Sequence, residues 1–250
     1  MQKRIIYLVV ALLAMNVCVY GQTTFGSRIY KASVMGNMQE WKTVLSEFAA
    51  PQSIKEKNTL VELINYQYGY IALCLSSKKK EEAEQYLNSA DNNLKLYISR
   101  YGEDAPSNAY SAAFTAFRIA LNPAKAPFLA SKCVKLVHKA VALDAECVQA
   151  WIDNGNVYNH MPAIMGGSKE KALKAYQTAF NLMQLKKTYQ GQSWQYPLIH
   201  ATIGKVYAET GQYKQAQLTY RAVLAYEPNY AWVKTYLKPK LDAKMQTIKE

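Results

Sequence analysis

Glycine and proline are scarce in this chain, and so are alternating apolar and polar segments. Only 11 glycines and 8 prolines occur among 250 residues. Strands of a sandwich or barrel need frequent turns and a two-residue period, and both signals are missing. Apolar residues recur instead at spacings of three and four, the period of an amphipathic helix. The sequence therefore predicts an all-α chain with no linker that would separate domains.

Histidine and cysteine are also rare, with three and four copies. Cys18 lies in the amino-terminal leader, and the other cysteines, Cys74, Cys133 and Cys147, lie inside helical patterns. An odd number cannot all pair within one chain, and no CxxC or clustered Cys/His spacing indicates a metal. We expect buried free thiols, and a Cys133–Cys147 disulfide stays open as the alternative.

Sequence motifs of catalysis are missing as well. No HExxH, GxSxG or Walker loop occurs, and acidic pairs such as Glu81 and Glu82 fall at predicted helix starts, where they complement the helix dipole. We therefore expect a non-enzymatic protein with no catalytic residues, no cofactor and no metal. His160, at the mouth of a predicted loop, is the one histidine that we retain as a candidate for binding.

The first 21 residues have the pattern of a secretory signal peptide. Lys3 and Arg4 precede an apolar run at residues 5–15, and cleavage is expected before Gln22. The run is too short to span a membrane comfortably, and no other segment approaches that length. Lipid attachment at Cys18 is the less favoured alternative, because the residues before it are not small. We expect a periplasmic or secreted protein with a single domain at residues 22–250.

Basic residues outnumber acidic ones, with a net charge of +12 that falls to +10 without the leader. An excess of this size favours acidic partners, anionic polymers or membrane surfaces. The lysines are nevertheless dispersed, and solvated helix faces explain most of them equally well. Export disfavours nucleic acid as a partner.

One stretch, residues 200–228, combines residue types that suit two antiparallel helices. Gly204 leaves room where the helices cross, Gly211 permits the turn between them, and Pro228 ends the second helix. Ala216, Tyr207 and Tyr220 fill the crossing. Residues 144–182 repeat the arrangement, with a longer loop before Ser168, which we predict to cap the second helix.

Upstream segments continue the pattern in weaker form. The small or apolar position of each predicted second helix is occupied, in chain order, by Trp41, Ala83, Cys133, Ala172 and Ala216. The predicted helices are 28–34 with 38–48, 59–75 with 81–97, and 107–121 with 129–143. After Pro228, a helix interrupted near Pro239 has the polar outer face of a cap.

With these offsets, the chain resembles tetratricopeptide repeat proteins, most clearly at residues 144–182 and 197–230. His200 departs from the repeat pattern, which prefers tryptophan there. The segments IALNPAKAPFLASKC and MPAIMGGSKEKALKAY also resemble exported repeat proteins of Bacteroidetes-type bacteria. The resemblance implies a right-handed α-solenoid of about five helix pairs with a C-terminal capping helix, acting as a scaffold that binds a protein or peptide in the cell envelope.

In such a stack, the first helices commonly line a concave groove. The positions that we predict to face it are Gln149, Ile152, Asn156, Asn159, His160 and Lys205. Asparagine amides can clamp a peptide backbone, and Lys205 can meet a carboxylate. Solvated polar positions are the simpler alternative for these residues.

A second function stays open, namely binding of an anionic or sugar polymer through basic and tyrosine-rich surface. The chain has 20 tyrosines. Those that this alternative uses are Tyr66, Tyr68, Tyr70, Tyr189, Tyr196 and Tyr213.

Overall fold

A computed structural model of the protein describes residues 24–48, 56–189, 191 and 193–248. These residues form eleven α-helices and no strand: α1 Phe25–Met35, α2 Met38–Phe48, α3 Lys57–Ser76, α4 Lys80–Tyr101, α5 Ala105–Leu121, α6 Ala126–Leu143, α7 Val148–His160, α8 Lys169–Leu185, α9 Gln195–Glu209, α10 Tyr213–Tyr226 and α11 Lys238–Gln246. None of the helices in this part of the chain is long and apolar enough to cross a membrane. The predicted signal peptide and Cys18 lie outside the described residues.

The helices stack as five antiparallel pairs, α1–α2 to α9–α10, followed by α11. From α1 to α9, each odd-numbered helix packs mainly against the even-numbered helix that follows it. This arrangement confirms the predicted all-α stack of helix pairs. The five small or apolar positions assigned to the second helices, Trp41 to Ala216, are all buried.

Two glycines of the first helices make room for tyrosines of the second helices. A Cβ atom at Gly155 would lie 2.5 Å from Cε1 of Tyr176, and one at Gly204 would lie 2.5 Å from Cε1 of Tyr220. Such distances are too short for any side chain larger than hydrogen, so these positions require glycine. The role predicted for Gly204 is thereby confirmed, and it recurs one unit earlier.

The start of α8 and the interruption before α11 lie where the sequence predicts them. Ser168 caps α8, since its hydroxyl accepts a hydrogen bond from the Lys171 amide at 3.2 Å. The predicted interruption near Pro239 is a π-helical turn at Val233–Leu237. Proline has no amide hydrogen to donate to the preceding turn, which leaves the backbone wider there.

The two ends of the stack are in contact. Val34 of α1 is buried in a cluster formed with the last pair and the segment after it, including Tyr220 and Val233. The Tyr30 hydroxyl donates to Glu227 Oε2 at 2.8 Å. Helix α1 therefore packs against the last pair as well as against α2.

All three described cysteines are free and buried. Burial raises the pKa of Cys74 and Cys147 to about 11 and that of Cys133 to about 12. The Cys133 thiol donates to the Ala112 carbonyl at 3.2 Å. The structure therefore favours free thiols over a Cys133–Cys147 disulfide.

We expect the folded protein, prepared as residues 22–250, to react slowly with a thiol reagent at neutral pH. The reagent needs the thiolate and access to sulfur, and burial limits both. In denaturant without reductant, all three thiols should react. A yield of one thiol after unfolding would contradict this expectation, because it would mean that two of the three cysteines are bonded to each other.

Candidate functional site

The first helices of four pairs meet along the inner side of the stack through polar side chains. The indole nitrogen of Trp194, just before α9, donates to Asn65 Oδ1 of α3 at 2.8 Å. The Asn65 amide donates to the Tyr110 hydroxyl of α5 at 2.9 Å. The Gln195 amide of α9 donates to Gln149 Oε1 of α7 at 2.8 Å. Asn65 Nδ2 also lies 3.5 Å from Gln149 Oε1, and this contact joins side chains from α3, α5, α7 and α9 in one set of hydrogen bonds.

Asp153 of α7 lies within this set and is only 1% exposed. Its carboxyl group accepts from the Tyr68 hydroxyl at 3.0 Å, the Gln149 amide at 2.8 Å and the Asn156 amide at 3.2 Å. Burial raises the pKa of Asp153 to about 7, although these donors act in the opposite direction. The Tyr176 hydroxyl donates to the side-chain oxygen Oδ1 of Asn156 at 2.7 Å.

We call these side chains the inner polar network. Its members are Asn65, Tyr68, Tyr110, Gln149, Asp153, Asn156, Tyr176, Trp194 and Gln195. Because α3 reaches α7 across α5, the inner face of the stack is closed at this level.

That closure changes the interpretation of three predicted groove residues. Gln149 is 6% exposed and bonded inside the network, and Ile152 is 2% exposed in an apolar cluster. Neither lines an open groove, contrary to the expectation from helix phase. Asn156 is half-buried, and its amide group already bonds to Tyr68, Asp153 and Tyr176.

The other three predicted residues lie together farther along α7 and α9. The Lys169 ammonium donates to Asn159 Oδ1 at 2.7 Å and to Glu209 Oε2 at 2.6 Å. Lys205 lies 3.1 Å from Glu209 Oε1. We call Asn159, His160, Lys169, Lys205 and Glu209 the α7–α9 cluster. Two lysines from different helices therefore share one carboxylate.

Electrostatics of this cluster follow from the two ammonium groups. Lys169 and Lys205 lower the pKa of Glu209 and outweigh burial, which raises it. His160 is exposed at the end of α7, and desolvation together with the charges of Lys205 and Lys169 lowers its pKa. His160 is thus neutral at pH 7, while Glu209 is ionised.

Sequence reasoning missed two members of the cluster, Glu209 at the end of α9 and Lys169. Lys169 is the first residue of α8, a second helix, and our prediction considered only the first helices as groove elements. The Ser168 cap could have located Lys169 at the helix start, close to the end of α7.

The other histidines have partners elsewhere in the described chain. The His200 ring stacks on Phe180 at 4.3 Å between centroids, and burial lowers the pKa of His200 to about 4. His138 Nε2 lies 3.1 Å from the Tyr158 hydroxyl oxygen. These positions agree with a packing role for His200.

Three of the six tyrosines of the alternative surface are buried inside the protein. Tyr66, Tyr68 and Tyr70 are each at most 5% exposed. Tyr196 packs against Phe180 and Tyr226. A stacking surface for sugars therefore loses its main aromatic members, while the dispersed basic residues leave the anionic part of that alternative as a prediction.

Comparison with known proteins rests on shape alone. No protein-family profile and no curated protein matches the sequence. Among solved structures, the HusA haemophore from Porphyromonas gingivalis aligns with a TM-score of 0.59 at 16% identity, covering 76% of this chain and 96% of that one.

A second similar structure is a thermophilic tetratricopeptide protein from Thermus thermophilus. It aligns with a TM-score of 0.56 at 14% identity, covering 88% of this chain and 97% of that one. Identities this low establish fold and nothing finer. Together with the stacked pairs and the glycine–tyrosine crossings, they show that the chain has a tetratricopeptide-like helical-repeat fold.

Proposed function

We propose that this protein is a non-enzymatic scaffold of the bacterial cell envelope that binds an extended acidic segment of a partner protein. Stacked helix pairs present long surfaces, and such surfaces usually serve binding. The envelope location rests on the signal-peptide pattern of residues 1–21. The α7–α9 cluster is the part of the inner face that we assign to the contact.

The observation that carries this assignment is the convergence of Lys169 and Lys205 on Glu209. The side chains of the two lysines are 42% and 35% exposed, so both are partly accessible from solvent. Lys169 directs its three ammonium donors to Asn159 O, Asn159 Oδ1 and Glu209 Oε2, whereas the described partner of Lys205 is Glu209 Oε1. A carboxylate of a partner can therefore accept from the remaining donors of Lys205, and the neighbouring charge of Lys169 adds to the attraction.

Neighbouring groups add specificity for a peptide rather than a bare ion. Neutral His160 has one ring nitrogen that donates and one that accepts. Asn159 holds Lys169 in place and is only 8% exposed, so its role is to position the lysine. A peptide main chain with an acidic side chain matches this combination of charged and neutral groups.

Raised thiol pKa values support a role without catalysis. The three described cysteines are protonated at neutral pH, and a thiol in that state is a poor nucleophile. His200, stacked on Phe180, is likewise unsuited to exchange protons with a substrate.

HusA is named as a haemophore, but we do not propose that this protein carries haem. The similarity to that protein extends to the fold only. The inner polar network and the α7–α9 cluster are dominated by amide, hydroxyl and charged groups, whereas a haem macrocycle needs a large apolar lining.

The proposal predicts that peptides selected from a random displayed library on residues 22–250 will be acidic. Binding of a selected peptide to Lys169→Gln/Lys205→Gln should be about ten-fold weaker than to the wild type, since the charge-assisted contact of Lys205 and the neighbouring charge of Lys169 are removed. Isothermal titration at low and moderate salt measures the change.

Lys95→Gln/Lys244→Gln is the matched control, because it removes the same charge from exposed positions on α4 and α11. It should bind the peptide as the wild type does. Equal weakening by both double variants would show that net charge alone attracts the peptide, and selection of peptides without acidic residues would contradict the assignment directly.

A further inference from the structure

Ile164 is 97% exposed although it stands in an ordered loop. The loop joins α7 to α8, and its backbone is closed by hydrogen bonds. The Gly167 amide donates to the Pro162 carbonyl at 3.1 Å, and the Ser168 amide donates to the Tyr158 carbonyl at 3.0 Å. The side chain of Ile164 is therefore exposed to solvent and contributes little to packing.

The Gly167 position shows how closely the loop is folded. A Cβ atom there would lie 1.8 Å from the Met161 carbonyl oxygen. Next to Ile164, Met165 is 44% exposed. Two adjacent apolar side chains thus project from a loop whose backbone has a defined shape.

Phe128, near the start of α6, is 82% exposed. Helix α6 packs against α7, and His138 of α6 lies opposite Tyr158 of α7. Since neighbouring helices in the stack run antiparallel, the chain that leaves α7 turns toward the end of α6 that carries Phe128. Phe128 and Ile164 therefore lie on the same edge of the stack, at successive turns within pairs.

Lysines stand on both sides of Phe128 in the sequence. Helix α6 contains three lysines and no aspartate or glutamate, and Lys125 precedes it. Lys139 pairs with Glu103. In the described part of the chain, Lys132 and Lys135 are exposed and form no ion pair, and they line a shallow recess beside Phe128.

We propose that this surface docks onto an anionic lipid bilayer. We call it the basic edge, and it consists of Lys125, Phe128, Lys132, Lys135, Ile164 and Met165. Phe128 and Ile164 would enter the headgroup region, while the lysines contact lipid phosphates. Exposed apolar side chains flanked by lysines are the combination that binds such interfaces.

A bilayer fits the basic edge better than a protein does. The central part of a protein interface is depleted of lysine and fills pockets with aromatic side chains. Here the apolar side chains project from two separate turns, and Lys132 and Lys135 line a shallow recess beside Phe128. A fluid surface accepts separate protruding groups without a matching pocket.

The opposite edge lacks this combination. Leu143 and Leu185 end α6 and α8 there and are 53% and 80% exposed. They lie next to acidic as well as basic residues, for example Asp144, and Glu146 pairs with Lys186. That edge therefore has exposed leucines beside charges of both signs, without a run of unpaired lysines like that on α6, and it supplies a control.

The inference goes beyond the proposed function and does not depend on it. The test is co-sedimentation of residues 22–250 with vesicles of phosphatidylcholine, alone or with about three parts in ten of phosphatidylglycerol. We expect binding to the anionic vesicles only. Phe128→Ser/Ile164→Ser should weaken it by about ten-fold or more, and Lys132→Gln/Lys135→Gln should weaken it and reduce its salt dependence.

Leu143→Ser/Leu185→Ser is the matched control and should bind as the wild type does. Thermal unfolding of each variant confirms that these surface changes leave the fold intact. The inference is wrong if the wild type does not bind anionic vesicles, or if the control variant loses as much binding as Phe128→Ser/Ile164→Ser. Equally strong binding to soluble polyglutamate would also overturn it, because the surface would then recognise acidic protein.

Discussion

Replacing Trp194 with alanine is expected to lower the free energy of unfolding by about 3 to 5 kcal/mol, the usual cost of removing a large buried aromatic side chain. Trp194 is 5% exposed, and its ring packs edge to face against Trp41 with centroids 5.1 Å apart. Its indole also donates to Asn65. Alanine would leave a cavity and an unpaired amide oxygen in the same place.

The surroundings of Trp194 have little freedom to collapse. A Cβ atom at Gly69 would lie 2.6 Å from the Trp41 ring and 2.8 Å from the Trp194 ring. The two indoles therefore fill the space above a glycine of α3. Because the surrounding side chains cannot relax into the cavity, we expect the loss in the free energy of unfolding to be near the upper end of that range, about 5 kcal/mol.

Trp194 also joins distant parts of the chain, so its replacement should have a second measurable effect. It precedes α9, yet it belongs to the apolar cluster of the first pairs, including Trp41 of α2. Hydrogen exchange in α1 and α2 should therefore accelerate in the Trp194→Ala protein, in addition to the lower denaturant midpoint.

Trp151→Ala is the control for this prediction. Trp151 is half-buried on α7, and its indole donates to the Ala145 carbonyl of its own unit at 2.8 Å. We expect a smaller loss and no change of exchange in α1 and α2. Similar losses from both variants, or unchanged exchange in α1 and α2, would show that Trp194 does not hold the first pairs against the later ones.

The sequence predicted the elements of the fold because their signals are local. Helix periodicity and the fit of Gly204 to Tyr220 involve residues within one unit. Closure of the stack could not be predicted in this way, because it depends on contacts between distant parts of the chain. The bond between Tyr68 and Asp153 joins residues 85 positions apart, and its formation depends on how tightly successive pairs wind.

The candidate site was predictable to the same limited degree. Helix phase selected Asn159 and Lys205, and the structure brings both into contact with Lys169 or Glu209. Their part in binding a partner stays a prediction. The position of a residue around its helix does not show whether the inner face of the stack is open or covered by other helices. Gln149 and Ile152 occupy the same phase and are buried, because α3 and α9 cover that level of α7.

The inner polar network predicts an unusual dependence of stability on pH. The pKa of Asp153 is about 7 in the folded protein, against about 3.9 for an unfolded aspartate. The folded state therefore binds the proton more tightly, and this group stabilises the protein below pH 4 and loses that contribution as pH rises through 7. Between pH 5 and 8 the loss amounts to roughly 2 to 3 kcal/mol.

His200 acts in the opposite direction over part of the same range, so the wild type alone does not isolate Asp153. Its pKa of about 4 means that the folded protein holds the ring neutral, which costs stability at pH values where the unfolded ring is protonated. The informative comparison is the difference between Asp153→Asn and the wild type, because His200 cancels from it.

We expect that difference to move in favour of Asp153→Asn by roughly 2 to 3 kcal/mol from pH 5 to 8, measured by urea unfolding. The asparagine resembles the protonated acid and never has to carry a buried charge. Its amide disturbs the donors from Gln149 and Tyr68 equally at both pH values, so that cost leaves the change unaffected. An unchanged difference would mean that Asp153 titrates alike in the folded and unfolded chain, and hence that α3, α7 and α9 do not seal the inner face from water.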